Sequence, residues 1–243
     1  MKALKGFKST SSHSLVISLL LLTLLSTWLS GPVQAQGVVS DKDKALLDSI
    51  GYDQRLDEQV PLDLTFTDDS GRLVQLGDYF DNKPVILVMA YYECPMLCTL
   101  VLNGLLNSLE AIDFDLGDQF EVVTISMDPG ETAAMAAAKK ETYIKFYARP
   151  GAADGWHFLT GSAEAIKGVT EAIGFRYVYD ERLDEYAHAT GMVLLTPEGR
   201  ISRYFYGIEF DPTDVRLGLV EASNNQIGSA IDQVLLMCYK YDP

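Results

Sequence analysis

Val85-Ile86-Leu87-Val88-Met89-Ala90-Tyr91-Tyr92-Glu93-Cys94-Pro95-Met96-Leu97-Cys98 is the stretch that decides the fold. Its first six residues form a short, continuous apolar run, which predicts a buried strand. Thr99 to Leu106, which follows it, is also apolar and predicts the body of a helix. Two cysteines therefore fall where the C-terminal end of a strand becomes a helix N-terminus. Unpaired N–H groups and the helix dipole favour thiolate there. Pro95 suits a first helical turn, where its missing N–H costs nothing. If Cys98 is helical, it lies one turn from Cys94 on the same face. Both sulfurs then reach one point, where they can hold one metal ion or form a disulfide.

Upstream, Leu62, Leu64 and Phe66 alternate with polar neighbours and predict a half-buried strand over 62–67. Asp68-Asp69-Ser70-Gly71 is a turn and 73–76 the returning strand. Downstream, helix 97–111 leads to a second apolar strand, 120–126, ending at Met127-Asp128-Pro129-Gly130. A helix over 134–146, a strand over 156–160, a helix over 163–174 and an extended segment over 175–179 follow. Residues 180–186 are polar and read as a loop. Strands at 192–195 and 201–206 flank the turn Pro197-Glu198-Gly199. A last helix covers 215–222 and 227–238, with a break near Ser223-Asn224-Asn225.

This order predicts an α/β domain of thioredoxin-like layout: a central mixed sheet flanked by helices, with an N-terminal β-hairpin. The expected organisation is a secretory signal peptide over 1–35, a leader over 36–57 and the domain over 58–243. Lys2, Lys5 and Lys8 precede an apolar core from Leu15 to Leu29, and Val33-Gln34-Ala35 supplies small residues for cleavage. That core falls short of the roughly 20 residues that span a bilayer comfortably. An uncleaved anchor is the rival reading. The expected location is the periplasm or the outer face of the inner membrane.

The chain has 34 acidic and 19 basic side chains, a formal charge of −15. Three of those 19 lie in the signal segment, leaving 16 against 34 and a charge of −18. This argues against nucleic acid or an anionic membrane surface as partner, and suits a basic docking partner or cation handling. Of three cysteines, Cys94 and Cys98 are paired in sequence, and Cys238 reads as a buried or partly buried thiol near the end of a helix. An exported domain of this size folds without disulfide staples, so the pair reads as chemical.

Three histidines are available. His13 lies in the signal segment, and His157 follows Trp156 in a strand, where it packs or hydrogen-bonds. His188 sits in a loop before strand 192–195, which in a thioredoxin-type fold packs beside the cysteine-bearing helix start. Two thiolates and one imidazole make a trigonal site. Soft ligands and low coordination number select Cu(I), and imidazole with an added oxygen ligand also holds Cu(II). Structural zinc usually takes four protein ligands, and no convincing fourth is present.

Cys94-Pro95-Met96-Leu97-Cys98 with His188 ninety residues beyond Cys98 resembles the Sco/SenC family of copper chaperones for cytochrome c oxidase assembly. The likeness runs from about Leu62 to Phe210. It includes Gly71, Ser126-Met127-Asp128-Pro129 and Phe158-Leu159-Thr160-Gly161. The resemblance implies that Cys94, Cys98 and His188 bind one copper ion and that Asp128 supports the site. It also implies delivery of copper to, or reduction of the cysteines of, the dinuclear copper centre in oxidase subunit II. The family often has aspartate before the histidine. Here the sequence is Ala187-His188-Ala189-Thr190, and outer support must come from elsewhere. The alternative reading is a thiol–disulfide oxidoreductase using Cys94 and Cys98 as its redox pair, which needs no histidine. A peroxiredoxin-type peroxidase gives His188 no role.

Overall fold

The computed structural model describes residues 41–94 and 96–228. The signal segment, Pro95, Cys238 and most of the expected helix 227–238 lie outside the described residues.

Strand β4 (Val85–Ala90) lies at the centre of a five-stranded sheet and is buried along its whole length. Its continuous apolar run is what a strand covered on both faces requires. Val85, Leu87 and Met89 enter one core, and Ile86 and Val88 the other. β4 pairs in parallel with β5 (Glu121–Ser126), Val85 opposite Glu121 and Ala90 opposite Ser126. β5 pairs in parallel with β6 (Trp156–Leu159). On its other side β4 meets β9 (Gly191–Leu195) antiparallel, and β9 meets β10 (Ile201–Tyr206) through the expected hairpin. The sheet is mixed, as expected.

Helices α2 (Leu97–Glu110) and α3 (Ala133–Tyr147) make the crossovers between the parallel strands. Together with α6 (Pro212–Ser223) they cover one face of the sheet. Val101, Leu102, Leu105 and Leu109 of α2 fall at helical spacing and are buried there. Trp156 and Phe158 of β6 stack on Tyr143 of α3, and Trp156 Nε1 donates to Thr124 Oγ1 at 3.0 Å. The short helix α4 (Ala152–Gly155) feeds β6. The other face is covered by α5 (Ala163–Ala172) and by Phe66 of the hairpin β2 (Thr65–Thr67) and β3 (Leu73–Gln75). β2 is shorter than the alternation suggests. Leu62 and Leu64 still accept amides from Gly77 and Leu76.

Two expectations need correction. Residues 180–186 are not loop throughout: β7 (Phe175–Asp180) and β8 (Glu185–His188) form a hairpin about the turn 181–184, Asp180 opposite Glu185 and Tyr177 opposite His188. His188 is therefore the last residue of a strand. The expected leader also contributes to the fold. After α1 (Asp41–Ser49), β1 (Gly51–Tyr52) pairs with β7, and the Asp57 amide donates to the Ile201 carbonyl at 2.9 Å. α6 begins at Pro212, earlier than expected, because the Asp211 carboxylate caps the amides of Thr213 and Asp214. Among the described residues no helix is long and apolar enough to cross a membrane.

The β2–β3 turn is held by one buried carboxylate. Asp68 accepts from the Ser70 amide and hydroxyl at 2.9 and 2.7 Å, and from the Arg72 amide and Nε at 2.9 Å each. Burial pushes its carboxyl up, but these donors win and hold it at about 2, below the ordinary 3.8. A depressed carboxyl contributes stability that is present above about pH 4 and lost as pH falls toward 2. Asp68→Asn is expected to cost about 1–2 kcal/mol at neutral pH, a gap that closes in acid. Urea unfolding of both proteins at pH 7 and near pH 2 measures it.

Candidate metal centre

The site sits at the C-terminal end of β4, where the chain turns into α2. The Cys94 amide donates to the Tyr91 carbonyl at 3.3 Å, closing the turn. Tyr92 is buried beneath it, its hydroxyl donating to the carbonyls of Thr124 and Leu159 at 3.1 and 2.6 Å. Glu131, just before α3, accepts the Glu93 amide at 2.8 Å and the Ser126 hydroxyl at 2.5 Å. Burial raises the Glu131 carboxyl, and its hydrogen bonds from Ser126, Tyr92 and Glu93 oppose that. One acidic side chain thus ties the cysteine turn to the end of β5.

Cys98 is the second residue of α2, whereas Cys94 precedes the helix. The sulfurs do not meet as two residues of one helical face. Cys94 folds back over the helix start, and its sulfur accepts the Cys98 amide at 3.3 Å. No side chain caps α2 in the usual way, and the Cys94 sulfur takes that place. The Cys98 sulfur accepts the Tyr91 amide at 3.4 Å and lies 3.3 Å from His188 Nε2.

His188 Nδ1 lies 2.8 Å from the Ala189 carbonyl, which only accepts, so Nδ1 carries the proton and Nε2 faces the sulfurs. This supplies the outer support that the absent aspartate left open. The imidazole is walled by Tyr91, edge-on at 6.1 Å between ring centroids, and by Phe175 at 6.3 Å. Cys94, Cys98 and His188 are 7 %, 1 % and 5 % exposed.

The donor atoms of these three residues lie within 4.8 Å of one another, the one such group of His, Cys, Asp or Glu among the described residues. Bonds of about 2.0–2.3 Å to a shared ion put trigonal donors about 4 Å apart, so the arrangement fits a metal. The thiols differ. The hydrogen bond from Cys98, with help from the amides of Cys98 and Met96, overcomes burial and draws Cys94 down to about 3. The same contact with Cys94, together with burial, pushes Cys98 up. Cys94 is thus the more readily ionised of the two.

Asp128 is outside the donor set. Its carboxylate accepts the Gly130 amide at 2.7 Å and the Tyr186 hydroxyl at 3.4 Å, and Tyr186 packs on Tyr91 at 5.6 Å. Asp128 reaches the centre through those two rings, and through Ser126 and Glu131 toward the cysteine turn. His157 plays the packing role expected of it, 3.1 Å from Glu121 and stacked on Tyr79, beside a cleft of about 430 Å³. Sequence reasoning missed Glu131 and the Ala189 carbonyl. Glu131 offered the signal of an acid three residues beyond Asp128, and a backbone carbonyl offers none.

The family model described as SCO1/SenC matches residues 53–219. A crystal structure from Aquifex aeolicus VF5 is 26 % identical with TM-score 0.61, covering 71 % of this chain and 96 % of that one. Arabidopsis thaliana ScoI with copper bound is 26 % identical with TM-score 0.53, covering 67 % and 96 %. A SCO1/SenC family lipoprotein from Bacillus anthracis str. Ames shares the fold, with 16 % identity and TM-score 0.57 over 71 % and 99 %. No curated protein matches. With a thioredoxin-like fold and a match spanning most of its length, the chain belongs to the SCO1/SenC family.

Proposed function

We propose that this protein is an exported copper-binding assembly factor that delivers copper to the dinuclear copper centre of cytochrome c oxidase subunit II. The observation that carries the reading is the buried Cys94–Cys98–His188 group with Nε2 turned toward both sulfurs. Two soft sulfurs and one imidazole suit Cu(I), with Cu(II) accommodated if an oxygen ligand joins. That Arabidopsis ScoI is described with copper bound supports the same metal here. The N-terminal segment, three lysines ahead of an apolar core, supports export to the periplasm or the outer face of the inner membrane.

Transfer requires a partner's thiolates to approach Cys94. Beside it, Met96, Leu97 and Leu100 are exposed apolar side chains, 61 %, 37 % and 37 %. They form a rim on which a copper-accepting domain would seat. The thiolate–thiol pair also favours a second reading, preparation of the acceptor's own cysteines by thiol–disulfide exchange.

Anaerobic Cu(I) titration of the reduced chain, residues 36–243, tests the first reading. Binding of about one copper per chain is expected, because the three donors make one trigonal site. Oxidation to the Cys94–Cys98 disulfide removes both thiolates and is expected to abolish tight binding. Equal copper retention by oxidised and reduced protein overturns the reading.

A further inference from the structure

The buried sulfurs connect to the surface through a line of tyrosines. Tyr91, 7 % exposed, lies edge-on to His188. Tyr186 is half-buried and meets Tyr91 at 5.6 Å between centroids and 63° between planes. Tyr179 meets Tyr186 at 5.2 Å and is 45 % exposed. The two outer phenols each face a carboxylate: Tyr186 donates to Asp128 and Tyr179 to Asp184. Packing alone needs rings, which phenylalanine would supply. Phenol oxidation needs a base within hydrogen-bond reach, because a one-electron-oxidised phenol sheds its proton. Both outer positions have one. Tyr177, also against Tyr186 at 5.8 Å, stacks on Phe175 and through it reaches His188, but among the described residues no carboxylate accepts from its hydroxyl.

We infer that Tyr179 and Tyr186, bridged by Tyr91, form an electron relay through which a one-electron oxidant at the surface oxidises the buried Cys94–Cys98 pair. The oxidant takes an electron from Tyr179, whose proton moves to Asp184. The Tyr179 radical then takes an electron from Tyr186 and its proton back from Asp184, while the Tyr186 proton moves to Asp128. The Tyr186 radical takes an electron from the Cys94 thiolate across the Tyr91 ring and recovers its proton from Asp128. The Cys94 thiyl joins Cys98 as the Cys98 thiol loses its proton to solvent. A second electron leaves by the same route and the disulfide remains. In total, two oxidant equivalents are reduced, one S–S bond forms, one S–H bond breaks and one proton is released. The relay matters because the sulfurs are too enclosed for a bulky oxidant to touch. It stands without copper: the thiol pair is its substrate.

The test uses the reduced, metal-free chain with photogenerated ruthenium(III) tris-bipyridine as oxidant. Tyrosyl absorbance and free thiols are followed after each flash. The expected result is a transient tyrosyl signal that decays as thiols are lost. Tyr186→Phe and Asp128→Asn each remove the phenol–carboxylate pair and are expected to slow thiol loss roughly tenfold or more. Tyr177→Phe keeps the ring and removes a hydroxyl that faces no carboxylate, and leaves the rate unchanged. Thiol loss at the unaltered rate in the double variant Tyr179→Phe/Tyr186→Phe overturns the inference. So does a tyrosyl signal that persists in the unaltered protein while its thiols survive. Copper titration of the same samples reads the copper proposal separately.

Discussion

His188→Ala is expected to weaken Cu(I) binding more than about 100-fold, since losing only an outer partner of a ligand already costs 10–100-fold. The argument rests on geometry. Nε2 lies 3.3 Å from the Cys98 sulfur, and the Ala189 carbonyl fixes the ring in the tautomer that leaves Nε2 free to bind metal. The histidine is 5 % exposed and walled by Tyr91 and Phe175, so water has little room to take its place. Two thiolates would remain, holding the ion with one ligand fewer. Competition against a Cu(I) chelator of known affinity measures the loss. Affinity within tenfold of the unaltered protein would mean that the sulfurs alone define the site.

The same variant separates the two functional readings. Disulfide formation uses only Cys94 and Cys98, so His188→Ala is expected to keep the redox pair while losing copper. Cys94→Ser loses both. Copper binding itself is eased by the asymmetry of the pair. The hydrogen bond from Cys98 favours the Cys94 thiolate, so Cys98 is the thiol that resists deprotonation on binding.

What the sequence revealed depended on how the information was written. Val85–Ala90 was readable to the residue because a strand buried on both faces must be apolar throughout. Cys94 and Cys98 were readable by spacing, although their route to contact was not: a sulfur capping a helix start has no residue pattern of its own. His188 was picked out from the sequence but placed in a loop. β8 has four residues, and the turn before it, 181–184, is polar, so no period-two signal survives. β1 has two residues and gives no period at all. Its place in the fold comes from pairing with β7, a long-range contact invisible to local propensity. The Ala189 carbonyl belongs to the same class, since every residue carries one.

Gly104→Ala is expected to destabilise the protein by about 2–4 kcal/mol, although alanine is the better helix former by about 1 kcal/mol. Gly104 lies in the buried stripe of α2. A Cβ there would stand 1.9 Å from the Ile208 carbonyl oxygen and 2.9 Å from its carbon. Those atoms are backbone, just after β10, and cannot rotate away as a side chain would. Either the Ile208 segment or the helix must move by more than 1 Å at roughly normal contact distances. Asn107→Ala is the matched control. It makes the same product three residues on, at an exposed position of the same helix, where propensity alone acts and a small gain is expected. At about 2–4 °C per kcal/mol for a domain of this size, the glycine variant should melt roughly 5–15 °C lower. Equal melting of the two variants would show that α2 and the Ile208 segment are not locked together. A lower melting point with weaker copper binding would carry the argument further. Cys98 lies six residues earlier on α2, about 9 Å along its axis, so displacing the helix moves one donor against a histidine held by a different strand.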